Sequence, residues 1–294
     1  MESGKLLHSG LYQIRLKLND HQSDMVSKVT FATLAVINLM PRAELYESYI
    51  RELVPTDTKL FMIRMKNHRY SSSDHTVLNS THLLFNDCDL TSIDGLLVSG
   101  SALDRMARFE DATYWEELMS SLLHASSQVG SIAGVCWGAL AIAKIFLGIE
   151  KRFLGKKLYG VYRSEVTVRC HSYMKNVSPT LELPHSRYAE IDPIAIGELT
   201  RQGVLIPLDR SLEAGHSCIA SADSRLFMMQ AHLDYPVNRL ALEYLWSKDE
   251  RRPTQLPENY NIYSPTDTWT ETSRTIFSNW LHYSKWRKTT MNEG

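Results

Sequence analysis

A cysteine stands between two glycines at residues 134–138, in the segment Gly-Val-Cys-Trp-Gly. This spacing is the cysteine form of the G-x-nucleophile-x-G elbow, in which glycines on either side allow a tight turn from a strand into a helix. A helix N-terminus behind the thiol stabilises the thiolate, and free backbone N–H groups at the turn can face an oxyanion. Cys136 is therefore a candidate nucleophile for acyl transfer, while a buried structural cysteine fits the same motif.

A thiolate nucleophile for acyl transfer needs a base nearby and a third group that orients the base. Among the eleven histidines, His185 and His232 each follow a strand-like run at a predicted loop. Asp234 lies two residues after His232, close enough in sequence to fix the tautomer of that imidazole. Both histidines are candidate bases, and His232 comes with a carboxylate that could orient it.

The elements predicted around this motif alternate between strand and helix. Apolar runs predict strands at residues 31–39, 59–65 and 95–100, and helical spacing predicts helices at residues 43–53 and 111–128. This alternation indicates an α/β fold with a parallel sheet between two helical layers, a three-layer sandwich whose functional residues lie at the carboxyl ends of the strands.

The pattern weakens beyond residue 150. We interpret residues 180–191, 203–211 and 217–232 as strands or loops, and residues 236–250 as a helix with Pro236 at its first position. A surface wrap at residues 251–268 and a final helix at residues 272–288 complete the chain. We therefore divide the sequence into an N-terminal arm, residues 1–28, and a single domain, residues 29–294.

Composition excludes several function classes. The 294 residues contain 32 Lys and Arg against 33 Asp and Glu, so no basic surface points to nucleic acid or an anionic membrane. No apolar run approaches the roughly 18 residues of a membrane span, and the start has no signal-peptide pattern. The four cysteines are dispersed, which argues against a disulfide framework or a metal site. We expect a soluble cytoplasmic protein that acts on a small polar substrate.

Several segments in order resemble the homoserine O-acyltransferase family, which has a class I glutamine-amidotransferase-like fold. The resemblance extends from about residue 30 to residue 285 and is carried by the segments INLMP, DGLLVSGSALD, YWEEL, CWGA, GVY, PHSRYAE, AHLDY, LALEY and FSNWLHY. The resemblance therefore implies the fold more strongly than it implies the substrate.

The resemblance implies a ping-pong acyl transfer on Cys136. The thiol would take an acyl group from acyl-CoA as a thioester, and His232 would act as the base. The family has Glu where this chain has Asp234, whose shorter side chain could still orient His232. The oxyanion would meet the backbone N–H of Trp137 and the loop of Ser99, Gly100 and Ser101. We expect acyl-CoA as a co-substrate and no cofactor or metal.

The acceptor site departs from the family pattern. Glu243, which would bind the ammonium of the acceptor, is present, and His185 and Ser186 lie in the matching substrate-binding segment. The family lysine after NLMP falls at Ala43, beside Arg42. The arginine that binds the acceptor carboxylate falls at Trp246, and an indole cannot form that charged pair. Either Arg163 or Arg187 substitutes for it, or the acceptor differs from homoserine, for example serine.

Asp104 falls at the family position that follows the choice of acyl donor. Members that use succinyl-CoA have glycine there, and members that use acetyl-CoA have glutamate. A carboxylate at this position would repel a succinyl group by roughly 1 to 4 kcal/mol, so we expect acetyl-CoA as the donor. In the alternative interpretation Asp104 only caps the turn that follows.

Two other functions stay open from sequence alone. One is an amidase-type hydrolase on the same fold, which would need a glutamine pocket. The other is a catalytically silent ligand-binding relative, which Ala43, Asp234 and Trp246 would favour. We expect acyl-CoA and an amino-acid acceptor as partners, in a homodimer.

Overall fold

The structure is a computed structural model that describes residues 31–103 and 105–293. The predicted arm, residues 1–28, lies outside the described residues. The strands are β1 (Thr33–Ile37), β2 (Lys59–Arg64), β3 (Leu83–Leu84), β4 (Gly95–Val98), β5 (Ser131–Val135), β6 (Lys151–Val166), β7 (Thr180–Ile191), β8 (Leu205–Pro207), β9 (Asp209–Arg210), β10 (Cys218–Ser221) and β11 (Leu226–Met229). The α-helices are α1 (Tyr46–Leu53), α2 (His75–Thr81), α3 (Trp115–Ser126), α4 (Trp137–Leu147), α5 (Pro193–Arg201), α6 (Arg239–Asp249) and α7 (Thr270–Glu293).

Eight strands form the main sheet, in the order β3-β2-β1-β4-β5-β11-β10-β8. The six strands from β3 to β11 are parallel. The last two, β10 and β8, run antiparallel at one edge. Strand β11 pairs with β5 although the chain builds a second sheet between them. The predicted parallel sheet is confirmed over these six strands, which include β5, the strand that Cys136 follows.

Helices cover both faces of this sheet. Along β1 the side chains alternate, so that Leu34 and Val36 pack into one core while Ala35 and Ile37 pack into the other. The first core contains side chains from α1, α6 and α7, and the second contains side chains from α3, α4 and α5. This arrangement confirms the three-layer sandwich.

A second sheet of three antiparallel strands, in the order β7-β6-β9, was not predicted. Strand β6 mixes charged and apolar residues without a clean alternation, because parts of both faces are exposed. Its pairing with β7 shifts register between Phe153 and Leu158. Strand β7 covers the range predicted as strand or loop, and it places residues 185–187 beside the main sheet.

The C-terminal part follows its prediction with longer bounds. The segment before α7 runs over β6, where Glu258 forms an isolated bridge with Gly160. Helix α7 extends further at both ends than the predicted helix. Its Trp280 is fully buried and donates a hydrogen bond from Nε1 to Ser131 Oγ (2.7 Å). The described residues contain no helix long and apolar enough to cross a membrane.

The prediction that Pro236 begins a helix is wrong. Helix α6 begins at Arg239, and Pro236 lies in the turn before it, where its carbonyl accepts a hydrogen bond from the N–H of Arg239 (2.9 Å). A preceding turn joins the N–H of Tyr235 to the carbonyl of His232 (3.1 Å). Two turns therefore connect His232 to the first residue of α6.

Candidate active site

The candidate site lies at the carboxyl ends of four adjacent parallel strands. In spatial order β1, β4, β5 and β11 are followed by the loops that contain Met40, Gly100, Cys136 and His232. Such an edge is where α/β sheets place their functional residues. The sheet thus brings together residues that are far apart in sequence.

Cys136 occupies the predicted turn between β5 and α4. Its backbone has φ 49° and ψ −108°, a conformation that side-chain-bearing residues rarely adopt. Both glycines of the motif are needed for this turn. A Cβ on Gly134 would lie 2.4 Å from the carbonyl carbon of Gly138, and a Cβ on Gly138 would lie 2.3 Å from the carbonyl oxygen of Val98. The motif therefore forms the strained elbow that its spacing predicts.

His232 lies beside Cys136 and is almost completely buried. Its backbone N–H donates to the carbonyl of Pro184 in β7 (2.7 Å), which fixes the loop. Burial lowers the pKa of His232, but the Cys136 thiolate and the Asp234 carboxylate outweigh burial and raise that pKa to about 10. The raised pKa favours the protonated form of the imidazole beside Cys136.

Asp234 is fully buried and both of its oxygens have partners. Oδ1 lies 3.0 Å from Nδ1 of His232, and Oδ2 accepts a hydrogen bond from the hydroxyl of Tyr46 (2.7 Å). Burial and the neighbouring carboxylate raise the pKa of Tyr46, so its hydroxyl stays a donor. The shorter aspartate therefore reaches His232 directly, with a tyrosine from α1 holding its second oxygen.

The loop after β4 lies directly beside Cys136. A Cβ on Gly100 would lie 3.2 Å from Cε1 of His232 and 3.7 Å from Cβ of Cys136. The backbone N–H of Ser99 donates to Ile37 (3.0 Å), and its hydroxyl accepts from the N–H of Leu39 (2.7 Å).

Those contacts correct one part of the predicted oxyanion site. The N–H of Ser99 belongs to the sheet ladder and cannot serve an oxyanion, so Ser99 joins two loops instead. Gly100 and Trp137 lie directly beside Cys136, and Trp137 contributes the first backbone N–H of α4. Ser101 is partly buried and accepts a long hydrogen bond from the hydroxyl of Tyr114 (3.4 Å).

Glu243 lies behind His232 in a cluster of polar groups. Its carboxylate accepts hydrogen bonds from the hydroxyls of Ser186 (2.7 Å) and Tyr235, and the Tyr235 ring stacks on His232 with centroids 3.9 Å apart. Lys157 Nζ lies 3.9 Å and Arg239 Nε 3.5 Å from its oxygens. Burial raises the pKa of Glu243, but these two cations outweigh burial and lower it, so the carboxylate is ionised.

The predicted substitute cations do not lie in this cluster. Arg187 is fully buried, where its guanidinium donates to the carbonyl of Ala214 (2.8 Å) and pairs with Glu190 (3.3 Å). Arg163 is exposed on β6, where it pairs in register with Glu182. The expectation for Arg187 is therefore wrong, because its side chain is used within the fold, whereas a role for the exposed Arg163 toward the acceptor carboxylate stays a prediction.

His185 is a structural neighbour of the site rather than a second base. Its Nδ1 accepts a hydrogen bond from Nε of Arg187 (3.3 Å), so Nε2 carries the proton and faces the hydroxyl of Ser217 (3.3 Å). Burial, Arg187 and His232 all lower the pKa of His185, which stays neutral. Both ring nitrogens are thus occupied, and His185 is not available as a substrate ligand.

The indole of Trp246 packs against two guanidinium groups. Its ring centroid is 4.5 Å from the guanidinium carbon of Arg42 and 4.8 Å from that of Arg239.

Ala43 is fully buried, with its N–H donating to Ser73 Oγ (2.9 Å). Asp104 lies outside the described residues. No group of side chains in the described ranges has the composition of a metal site.

Sequence reasoning missed four residues of this site: Tyr46, Lys157, Tyr235 and Arg239. The sequence pattern does not mark Tyr46 as a site residue, because its contact with Asp234 spans 188 positions. Tyr235 and Arg239 fall within segments that were recognised, although no local motif marks them. Lys157 was missed together with the strand that carries it.

Comparisons with known proteins agree with this geometry. A family model described as HTS, homoserine O-succinyltransferase, matches residues 15–291. The homoserine O-acetyltransferase of Lactococcus lactis subsp. lactis (strain IL1403) is 31% identical over 264 residues, covering 87% of this chain and 81% of that protein. The homoserine O-acetyltransferase of Clostridium botulinum (strain Eklund 17B / Type B) is 30% identical, covering 87% and 85%.

Solved structures share the fold at much lower identity. A glutamine amidotransferase from Thermotoga maritima is 13% identical with a TM-score of 0.51, covering 87% of this chain and 96% of that chain. A glutamine amidotransferase from Methylobacillus flagellatus is also 13% identical, with a TM-score of 0.52 and coverage of 88% and 94%. These similarities confirm the predicted class I glutamine-amidotransferase-like fold and carry no argument about substrate.

Proposed function

The chain belongs to the homoserine O-succinyltransferase family and is an acyltransferase that acts on homoserine, and from this premise we propose that the acyl group passes from acyl-CoA through a thioester on Cys136. The observation that carries the proposal is the strained elbow that places Cys136 beside His232, with Asp234 and Tyr46 behind the imidazole. This arrangement supplies a nucleophile, a proton carrier and an orienting carboxylate.

In the first half-reaction the Cys136 thiolate attacks the carbonyl carbon of the acyl thioester. The C–S bond to Cys136 forms, the C–S bond to CoA breaks, and the imidazolium of His232 gives its proton to the leaving thiolate. The N–H groups of Gly100 and Trp137 stabilise the oxyanion of the tetrahedral intermediate. The products are acylated Cys136, neutral His232 and CoA with a free thiol.

In the second half-reaction neutral His232 takes the proton of the acceptor hydroxyl. The alkoxide attacks the thioester carbonyl, the bond to Cys136 breaks, and the thiolate–imidazolium pair forms again. Acylation removes the negative charge of Cys136, which is the largest influence that raises the pKa of His232. The histidine therefore becomes a better base at the step where a base is needed.

The test is intact-mass spectrometry of the protein mixed with acetyl-CoA alone. The proposal expects a stable gain of one acetyl group, which hydroxylamine removes and homoserine discharges as an O-acyl product. The Cys136→Ser variant should fold and show no thioester. An adduct on another residue, or turnover by Cys136→Ser at more than about one hundredth of the wild-type rate, would refute the assignment of the nucleophile.

We further propose acetyl-CoA as the donor. Several relatives are named homoserine O-acetyltransferases, and Asp104 is acidic at the position that follows donor choice in the family. The Asp104→Gly variant should raise the use of succinyl-CoA relative to acetyl-CoA by about one to three powers of ten. An unchanged ratio, or a wild-type preference for succinyl-CoA, would contradict this proposal.

We also propose that the protein works in the cytoplasm as a homodimer. The free state of all four cysteines, Cys88, Cys136, Cys170 and Cys218, supports a reducing compartment. Sedimentation of the purified full chain tests the dimer, since a monomer at working concentration would refute it.

A further inference from the structure

The ring of Tyr235 separates the Arg239–Glu243 ion pair on α6 from the catalytic histidine, His232. The Tyr235 ring stacks on His232, and the Tyr235 hydroxyl donates to the Glu243 oxygen that Arg239 approaches at 3.5 Å. The guanidinium carbon of Arg239 is 5.4 Å from the centroid of that same tyrosine ring. A small acceptor whose hydroxyl lies at His232 is therefore close to both an anion, Glu243, and a cation, Arg239.

Arg239 has one donor that the fold satisfies incompletely. Its side chain is only 4% exposed, and its buried Nε lies 3.5 Å from Oε1 of Glu243 without forming a hydrogen bond to any group in the described part of the chain. A buried N–H without an acceptor costs about 1 to 3 kcal/mol, so such groups in native proteins call for a partner. A carboxylate is the acceptor that a guanidinium binds best.

The indole at position 246 holds this guanidinium in place. Residues 239 and 246 are seven apart on α6 and therefore share a face of the helix, and the Trp246 ring centroid is 4.8 Å from the guanidinium carbon. Stacking of this kind fixes the plane of the guanidinium without using its N–H groups. The tryptophan thus orients a cation from two turns earlier in the helix.

We propose that Arg239 binds the carboxylate of the amino-acid acceptor, next to Glu243, the residue to which the family resemblance assigns the acceptor's ammonium. The inference rests on the proposed function, because it assumes a zwitterionic acceptor whose hydroxyl meets His232. An amino acid carries an ammonium and a carboxylate group on neighbouring carbon atoms. Its carboxylate can therefore meet Arg239 while its ammonium meets Glu243. Lys157 is the other cation near Glu243. Its Nζ lies 3.9 Å from the carboxylate, further than Arg239 Nε, and its side chain is 22% exposed.

The experiment compares two acceptors on the protein acetylated at Cys136. Homoserine carries the carboxylate, and 3-amino-1-propanol is the same molecule without it. The Arg239→Gln variant should lose about 100-fold in the rate constant for discharge by homoserine at low concentration. Discharge by 3-amino-1-propanol should change less than about threefold, because that acceptor makes no use of the guanidinium.

Three further variants control the comparison. Arg42→Gln removes the other guanidinium beside Trp246 and should keep the preference for homoserine. Arg239→Lys keeps the charge without the planar pair of donors and should lose less than Arg239→Gln. In Arg239→Gln/Trp246→Arg a guanidinium returns to the same helix face, and part of the preference should return. The Arg239→Lys variant decides the question if Arg239→Gln does not fold.

An equal loss with both acceptors would overturn the proposal, because it would show that Arg239 only supports the fold. Loss of the preference in Arg42→Gln or Lys157→Met, with Arg239→Gln unaffected, would also overturn it. Failure of wild-type protein to acetylate Cys136 would instead refute the proposed transfer. Calorimetry of homoserine binding to Cys136→Ser, with and without Arg239→Gln, would still test Arg239 in that case.

Discussion

At the scale of single residues, Tyr46 shows how Asp234 could orient His232 at a position where the family resemblance implies a glutamate. Its hydroxyl donates to the Asp234 oxygen that His232 does not use. A carboxylate held at both oxygens cannot rotate away from the imidazole. The missing methylene is therefore compensated by a tyrosine from α1 that fixes the carboxylate from the other side.

We predict that Tyr46→Phe lowers turnover about tenfold while the protein stays folded. The variant keeps the packing of the ring and removes one hydrogen bond to a charged group, worth about 1.5 to 3 kcal/mol. Steady-state assays with homoserine measure the effect. Tyr283→Phe removes a phenolic hydrogen bond to the carbonyl of Asp223 on a distant surface and should leave turnover unchanged. Equal turnover of Tyr46→Phe and wild type would show that Asp234 needs no second partner.

The pKa of His232 should depend on the charge of Cys136. In the free protein the imidazole stays protonated up to about pH 10, because the thiolate and Asp234 raise its pKa. Cys136→Ser removes the thiolate, so the same ring should lose its proton at a lower pH. Titration of the ring by nuclear magnetic resonance measures the difference. An unchanged pKa in Cys136→Ser would mean that Asp234 alone sets it.

At the scale of elements, the elbow depends on the close contact between α4 and the carboxyl end of β4. Gly138 lies where any side chain would collide with the carbonyl oxygen of Val98 at 2.3 Å. Because that oxygen belongs to a buried central strand, the backbone cannot move aside without disturbing the loop that covers Cys136. The elbow and the oxyanion loop therefore share one packing constraint.

Gly138→Ala should accordingly destabilise the fold by about 3 kcal/mol and abolish thioester formation, as expected for overpacking in a rigid core. Gly197 on α5 provides the matched control, since a Cβ there meets no atom within 4 Å. Gly197→Ala should raise the free energy of unfolding by about 0.5 to 1 kcal/mol. Urea denaturation of both variants tests the pair, and similar stabilities would argue against the close contact.

The elements that sequence could predict are those with local signals. The elbow at Cys136 and the strand β1 each carry a motif or an apolar run within a few residues, and the structure confirms both. Strand β6 could not be predicted, because its burial depends on β7 and on the later segment around Glu258. Arg239 and Tyr46 were missed for the same reason, since their roles depend on partners in other elements.

Arg187, one of the residues predicted to bind the acceptor carboxylate, is not available for that role. Arg187 lies in the segment to which the family resemblance assigns substrate binding, so its residue type and position fit that prediction. Its guanidinium is instead used up by backbone carbonyls and Glu190. Sequence shows which charges exist, whereas only packing shows which of them remain available.

At the scale of the whole molecule, α7 closes one face of the sheet. Trp280, Phe277 and Leu281 are buried in the core that also receives β1 and β11. The hydrogen bond from Trp280 to Ser131 ties this helix to the first residue of β5. Helix α7 thus supports the strand that Cys136 follows.

Trp280→Ala should lower the free energy of unfolding by about 3 to 5 kcal/mol, the usual cost of removing a buried tryptophan. Trp286 lies on the same helix and is 55% exposed, so Trp286→Ala should change stability by less than about 1 kcal/mol. Thermal unfolding followed by circular dichroism compares the two variants. Comparable losses would indicate that α7 packs through a different face.

The pairing of β5 with β11 also predicts the order in which parts of the chain fold. Cys136 follows β5 and His232 follows β11, yet the chain between them must first leave the main sheet and build β6, β7 and α5. Contacts between such distant segments form slowly, because a long loop has to close before they stabilise anything. During refolding from urea, helical signal should therefore return before the ability to form a thioester. If Cys136 and His232 form the proposed catalytic pair, we expect the partly folded chain to be chemically inert toward acyl-CoA.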